Sequence, residues 1–288
     1  MKKIVRLFIL FICVLSVTGC IKRDTMEGIT INTTNYPTYY ITKRLYGKFS
    51  KVKSIYPNGA NLDEYSLTDK QIKDYSSADL FVFNGLRKEK NYVNKMRKNN
   101  SDLKIIDSTL YMEYINDINE LWLDPSNLLM MAQNIKKGLN EYIDSYYLNS
   151  KIDINYEKLK IEASNLDAEL KDVISKANSK IIVTSDKMFK YLEKYGLTVY
   201  ILDENDSNIQ ITTNEVLKLI RNGQVKYIFV KNTEEENNTI KNIVSSTGVS
   251  VQKWHTLDNL TEIEKSENKD YFSIMKENID MLKNEIYK

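Results

Sequence analysis

From residue 28 onward the chain alternates short β-branched or aromatic runs with longer stretches whose apolar positions recur every three or four residues. Runs of the first kind suit strands with a buried face, and the longer stretches suit amphipathic helices. The pattern predicts strands at 29–33, 51–55, 79–84, 104–106, 180–184, 198–202, 226–230 and 249–252. Helical spacing falls at 38–45, 69–76, 89–97, 126–146, 187–195, 214–221, 234–245 and 272–287. Strands and helices in regular alternation are the signature of an α/β protein.

One segment breaks that rhythm. Between 154 and 177, Leu159, Ala163, Leu166, Leu170, Val173 and Ala177 draw a single apolar stripe with no Gly or Pro to interrupt it. A helix of this length extends about 36 Å, the height of a domain. Lying between two α/β halves, it reads as a rigid spine, with an ordinary helix of a single domain as the alternative. The division that follows is an N-terminal lobe at 28–152, a linking helix at 153–178 and a C-terminal lobe at 179–288.

The N-terminus is organised differently. Lys2, Lys3 and Arg6 precede an apolar run from Leu7 to about Val17, too short for an ordinary membrane span and of signal-peptide proportions. It ends in Val17-Thr18-Gly19-Cys20, which resembles a bacterial lipobox. That resemblance implies a signal peptide at 1–19, a diacylglycerol on Cys20, and a polar tether at 20–27. A plain anchor helix is the alternative. No later apolar run approaches about 18 residues. The expected product is a body held by lipid on the outer face of a bacterial cell membrane.

Composition removes several function classes. The 288 residues carry 41 Lys and Arg against 39 Asp and Glu, so nucleic-acid binding by bulk positive charge is not expected. One histidine, His255, and two cysteines, Cys13 and Cys20, exclude His-rich zinc sites, zinc ribbons, disulfide scaffolds and thiol catalysis. There is no dinucleotide fingerprint, phosphate loop or nucleophile elbow. Asp203-Glu204-Asn205-Asp206-Ser207-Asn208 lacks the glycine and terminal acid of a calcium loop and reads as a solvated turn. Thr233-Glu234-Glu235-Glu236 reads as the acidic opening of a helix.

The remaining signal lies in a series of short phrases. They are Thr34-Asn35-Tyr36-Pro37, Pro57-Asn58-Gly59-Ala60 before Glu64-Tyr65-Ser66-Leu67-Thr68, Ala78-Asp79-Leu80 with Phe83-Asn84-Gly85-Leu86, and Leu121-Trp122-Leu123-Asp124-Pro125. Val183-Thr184-Ser185-Asp186, Tyr227-Ile228-Phe229-Val230 and Leu257-Asp258-Asn259-Leu260 follow. In order and spacing, from about Gly28 to Lys288, the chain resembles the metal-binding substrate-binding lipoproteins of zinc and manganese ABC importers. The resemblance implies two similar α/β lobes with parallel sheets, joined by one long helix, and a ligand cleft between the lobes. It implies a transport receptor rather than an enzyme, delivering its ion to a membrane permease driven by a cytoplasmic ATPase. A lipid anchor suits that task by raising effective concentration near the permease.

The same resemblance places four metal ligands, and here the chain departs from the family. The positions read Asp63, Glu120, Asp186 and Asp258: four carboxylates and no imidazole. The 108–119 segment is short and carries no histidine. All-oxygen sites suit Mn²⁺, Mg²⁺ or Ca²⁺ better than Zn²⁺. Four acids in one cleft repel one another unless a cation joins them. Lys231, at the end of the Ile-Phe-Val strand, is a possible internal counter-charge able to pair with Asp258 or Asp186. Two readings stand open. One is a receptor for a divalent cation, with manganese or another hard ion preferred. The other is an adhesin-like or accessory surface lipoprotein of the same fold, binding no metal, its vestigial cleft closed by Lys231. His255 is a weaker candidate ligand, and Trp122 reads as core beneath the cleft.

Overall fold

The structure is a computed structural model that describes residues 26–112 and 118–288. The leader, the lipobox with Cys20, and part of the 108–119 segment lie outside the described residues. Eight strands form two four-stranded, wholly parallel sheets. The first comprises β1 (Ile29–Thr33), β2 (Ser50–Ser54), β3 (Leu80–Phe83) and β4 (Lys104–Asp107) in the order β2-β1-β3-β4. The second comprises β5 (Ile181–Thr184), β6 (Thr198–Ile201), β7 (Tyr227–Lys231) and β8 (Ser250–Trp254) in the order β6-β5-β7-β8. The two sheets thus share one topology.

Central strands are almost wholly buried, as parallel strands covered on both faces must be. All four residues of β3, Leu-Phe-Val-Phe, are buried. The edge strand β2 instead alternates, pointing Lys51 and Lys53 to solvent, where lysines discourage pairing with another chain. In each sheet the chain reverses direction across the sheet between the first and third strands. The loops leaving their carboxyl ends part there and open a crevice, the usual ligand position in such folds.

The helices are α1 (Tyr36–Tyr46), α2 (Asp69–Tyr75), α3 (Glu89–Asn99), α4 (Pro125–Tyr142), α5 (Tyr146–Ser175), α6 (Ile209–Arg221), α7 (Asn238–Thr247), α8 (Glu262–Ser266) and α9 (Tyr271–Ile286). Helix α5 is the linking helix. It opens on Ser145, whose side chain accepts the Leu148 amide, and runs 30 residues, about 45 Å. It starts seven residues earlier than the apolar stripe suggests, because its first turn exposes Tyr146 and Tyr147. Leu159, Ala163, Leu166, Leu170 and Val173 are buried along it, against α1 and α4 on one side and α9 on the other.

One core runs through both lobes. Ile31 and Val82 of the first sheet, Trp122, Leu166 and Leu170, and Phe189, Phe229, Trp254 and Tyr271 of the second half belong to a single cluster. Satellite clusters fill the outer faces, around Phe81, Phe83 and Met96 in one lobe and Val183, Ile228 and Ile240 in the other. Several expected helices differ: the one expected at 126–146 ends at Tyr142, and the one expected at 214–221 begins already at Ile209. The 187–195 stretch is a 3-10 run, Lys187–Tyr195, between the Asp186 cap and Gly196 at φ 100°. The acids at 234–236 do not open α7, which begins at Asn238 under the Asn237 cap. Glu234 and Glu236 are held outside it by lysines, Glu234 by Lys231 at 3.4 Å and Glu236 by Lys253 at 3.4 Å.

Candidate cation-binding cleft

Six charged side chains meet where the strand ends of the two sheets face each other. Asp63 comes from the loop after β2, where Asn61 Oδ1 accepts its amide. Glu120 leads into the 3-10 turn Leu121–Leu123 and is 3% exposed. Asp186 follows β5, and its Oδ1 accepts the Met188 amide at 2.7 Å, leaving Oδ2 for the cleft. Asp258 lies in the loop after β8, 5% exposed, one residue beyond Leu257 at φ 59°.

The two cations come from topologically equivalent places. Arg87 follows β3 through a tight turn, in which Asn84 Oδ1 accepts the Leu86 amide. Glycine at 85 leaves room for Asp107, whose Oδ2 would stand 2.7 Å from a Cβ there. Lys231 is the last residue of β7, which holds the same place in the second sheet.

Arg87 is the hub. Its Nη1 donates to Asp258 Oδ1 at 2.8 Å, and its Nη2 donates to Asp258 Oδ2 at 3.2 Å and Glu120 Oε1 at 3.1 Å. Its Nε lies 2.9 Å from Asp63 Oδ1 as an ion-pair contact outside hydrogen-bond alignment. Lys231 Nζ reaches Asp186 Oδ2 at 3.2 Å, Glu234 Oε1 at 3.4 Å and Glu120 Oε1 at 3.6 Å. All four sequence-assigned carboxylates therefore surround the same two side-chain cations. The Lys231 contact anticipated with Asp186 is present, whereas Asp258 pairs with Arg87.

Burial and charge act on each other here. Burial first, then the Asp258 charge, pushes the Glu120 carboxyl up to about 7, with Lys231 and Arg87 pulling the other way. Burial works against the Arg87 guanidinium, but Asp258, Glu120 and Asp63 outweigh it and raise its pKa. Lys231 is likewise raised, burial opposing and Glu120 and Asp186 prevailing. Four carboxylates facing two cations leave surplus negative charge. Among the described residues no three of His, Cys, Asp and Glu form a group that could hold a metal as they stand, since the cations lie between the acids.

His255 points elsewhere. Its Nδ1 accepts the Leu257 amide at 2.9 Å and its Nε2 meets Glu264 at 3.0 Å, so it braces the loop that carries Asp258. Trp122 is fully buried, and its Nε1 donates to the Thr256 carbonyl at 2.8 Å across the lobes. Residues 203–208 form turns, with Asp203 3.7 Å from Lys187. The sequence reading missed Arg87. Its one local signal was a cation directly after Phe83-Asn84-Gly85-Leu86, at the end of a central strand.

The profile of the family described as zinc-uptake complex component A, periplasmic, matches residues 31–285. The chain belongs to that family. Among curated relatives, the manganese ABC transporter substrate-binding lipoprotein PsaA of Streptococcus mitis is 28% identical, with 98% of each chain covered. The metal ABC transporter substrate-binding lipoprotein SloC of Streptococcus mutans is 26% identical, with 99% of each covered. Zinc-bound AdcA of Streptococcus pneumoniae has the same fold, with a TM-score of 0.74 at 22% identity, over 91% of this chain and 58% of that one. The metal-dependent lipoprotein YcdH of Bacillus subtilis matches with a TM-score of 0.74 at 21% identity, over 90% and 100%. Membership of this family makes the chain a component of solute uptake rather than an enzyme.

Proposed function

We propose that this chain is the lipid-anchored, extracytoplasmic substrate-binding protein of a metal-ion ABC importer. Its cargo is a divalent cation, taken up by Asp63, Glu120, Asp186 and Asp258 and passed to a permease with a cytoplasmic ATPase. The observation that carries this reading is the convergence of carboxylates from both lobes on shared positive charge. A cleft with surplus negative charge, half shielded from water, favours a dication over a monovalent ion or an anion. The oxygen-only donor set favours Mn²⁺ or a similar hard ion over Zn²⁺. The lipobox and the names of the relatives, which call them lipoproteins, support anchoring at the outer face of the membrane.

The test is calorimetric titration of the purified, metal-stripped protein with Mn²⁺, Zn²⁺, Mg²⁺ and Ca²⁺, beside Asp186→Ala. That carboxylate is partly exposed, so its removal spares the core. Saturable one-to-one binding, weakened at least about tenfold in the variant, supports the reading. Absence of binding to every ion would refute it and return the chain to the reading of a surface lipoprotein with a vestigial cleft.

A further inference from the structure

Arg87 and Lys231 do more than neutralise acids, because each joins carboxylates of its own lobe to one of the other. Arg87, from the first lobe, takes Asp63 and Glu120 of that lobe and grips Asp258 of the second in a two-pronged pair. Lys231, from the second lobe, takes Asp186 and Glu234 there and reaches Glu120 of the first. The side chains of Arg87, Lys231, Asp258 and Glu120 are only 8%, 10%, 7% and 2% exposed, so salt screens these links little. The geometry points to Arg87 and Lys231 as tethered stand-ins for the cargo, latching the lobes together when the cleft is empty and setting selectivity by competing with the incoming ion. This inference rests on the reading of the four carboxylates as the cargo site.

Three features favour exchange over a permanent lock. The acids outnumber the two cations, so a dication is attracted before either side chain leaves. Glu120 is shared by both cations and Asp258 holds two nitrogens of Arg87, so a metal that takes their oxygens removes the closest hydrogen bonds of Arg87 at one stroke. A second acid waits on the Arg87 side. Glu89, two residues on at the start of α3, is 2% exposed, and its Oε2 has no hydrogen-bond partner. Its other oxygen accepts from Tyr56 Oη at 3.4 Å, and Arg87 is already among the charges that act on it. An arginine released from Asp258 therefore has a buried carboxylate to turn to, and a buried, half-satisfied acid is costly until something does. Arginine's fork suits the two-pronged grip, which lysine's single ammonium does not reproduce. Arg87 is accordingly the main competitor and Lys231 the lesser.

Mn²⁺ titration of metal-stripped wild type, Arg87→Gln and Lys231→Gln tests this. Arg87→Gln, which keeps an amide but no charge, is expected to bind Mn²⁺ about tenfold tighter or more than wild type. Lys231→Gln is expected to show a smaller rise, about threefold. Wild type that binds one-to-one while Arg87→Gln binds equally or more weakly would overturn the latch and leave the cargo reading standing. No binding by wild type or either variant would refute the cargo reading itself. If Arg87→Gln does not fold, Lys231→Gln decides, and an affinity no higher than wild type overturns the proposal.

Discussion

Replacing Trp122 by phenylalanine is a direct probe of whether the two lobes share a core. The indole is fully buried, and its Nε1–H is spent on the carbonyl of Thr256, itself 1% exposed, on the other side of the cleft. Phenylalanine keeps most of the ring but leaves that carbonyl with no indole donor in a dry site, at a cost of about 1–3 kcal/mol. The void left by the smaller ring adds about 1–2 kcal/mol, well short of a full aromatic-to-alanine truncation. The Tyr271 hydroxyl bond to the Trp122 carbonyl is untouched by the change. The expected loss is therefore about 2–5 kcal/mol. The chain has two tryptophans, so the variant leaves Trp254, at the end of β8, as a fluorescent reporter in the opposite lobe. Urea unfolding followed by Trp254 emission and by far-ultraviolet circular dichroism should show one transition moved to lower urea by both signals. A loss below about 0.5 kcal/mol, or a Trp254 transition that stays in place, would refute the shared core.

Other consequences are equally open to measurement. The Glu120 carboxyl rises from 4.5 to about 7 on folding, so the native state holds a proton that the unfolded chain releases. Its contribution to stability is full below pH 4.5 and is lost as pH climbs through 7, on the order of 3 kcal/mol. In Glu120→Gln that slope should flatten in urea midpoints taken from pH 5 to 8, and an unchanged slope would contradict the assignment. Asn278 is fully buried and braces His255 through both backbone groups, at 3.1 and 2.9 Å. Asn278→Ala should cost about 1–3 kcal/mol and speed amide exchange at 255–258 more than in β7. Gly138 lets α4 lie against β4, because a Cβ there would stand 2.6 Å from Ile106 Cγ1. Gly138→Ala should lower the melting temperature despite its helix-propensity gain of about 1 kcal/mol, since overpacking costs about 1–3. A raised melting temperature would show that Ile106 can move aside.

The elements were legible because most signals were local. All eight strands lie within two residues of their expected bounds, since each is a short run rich in β-branched or aromatic residues, continuous or alternating. The stripe from Leu159 to Val173 announced the linking helix, but its exposed tyrosine start hid the first two turns. The acids at 234–236 misled because helix-opening chemistry and salt-bridge chemistry call for the same residues. Only the fold shows that Lys231 and Lys253 claim them. The cleft followed the same rule. Asp63, Glu120, Asp186 and Asp258 were nameable through their neighbouring phrases, and Lys231 through its place on a strand. Arg87 sits at a turn where nothing nearby explains a buried guanidinium. Its partners are 24, 33 and 171 residues away in sequence, and only the two-sheet arrangement brings them together.

The central claim is that the four carboxylates receive a divalent cation in place of Arg87 and Lys231. Anomalous diffraction from crystals of the protein grown with Mn²⁺ tests it most directly. The account predicts one strong peak among the carboxyl oxygens of Asp63, Glu120, Asp186 and Asp258, with the Arg87 guanidinium moved off Asp258. Saturating Mn²⁺ that leaves the Arg87–Asp258 pair intact and the cleft without a peak would contradict it.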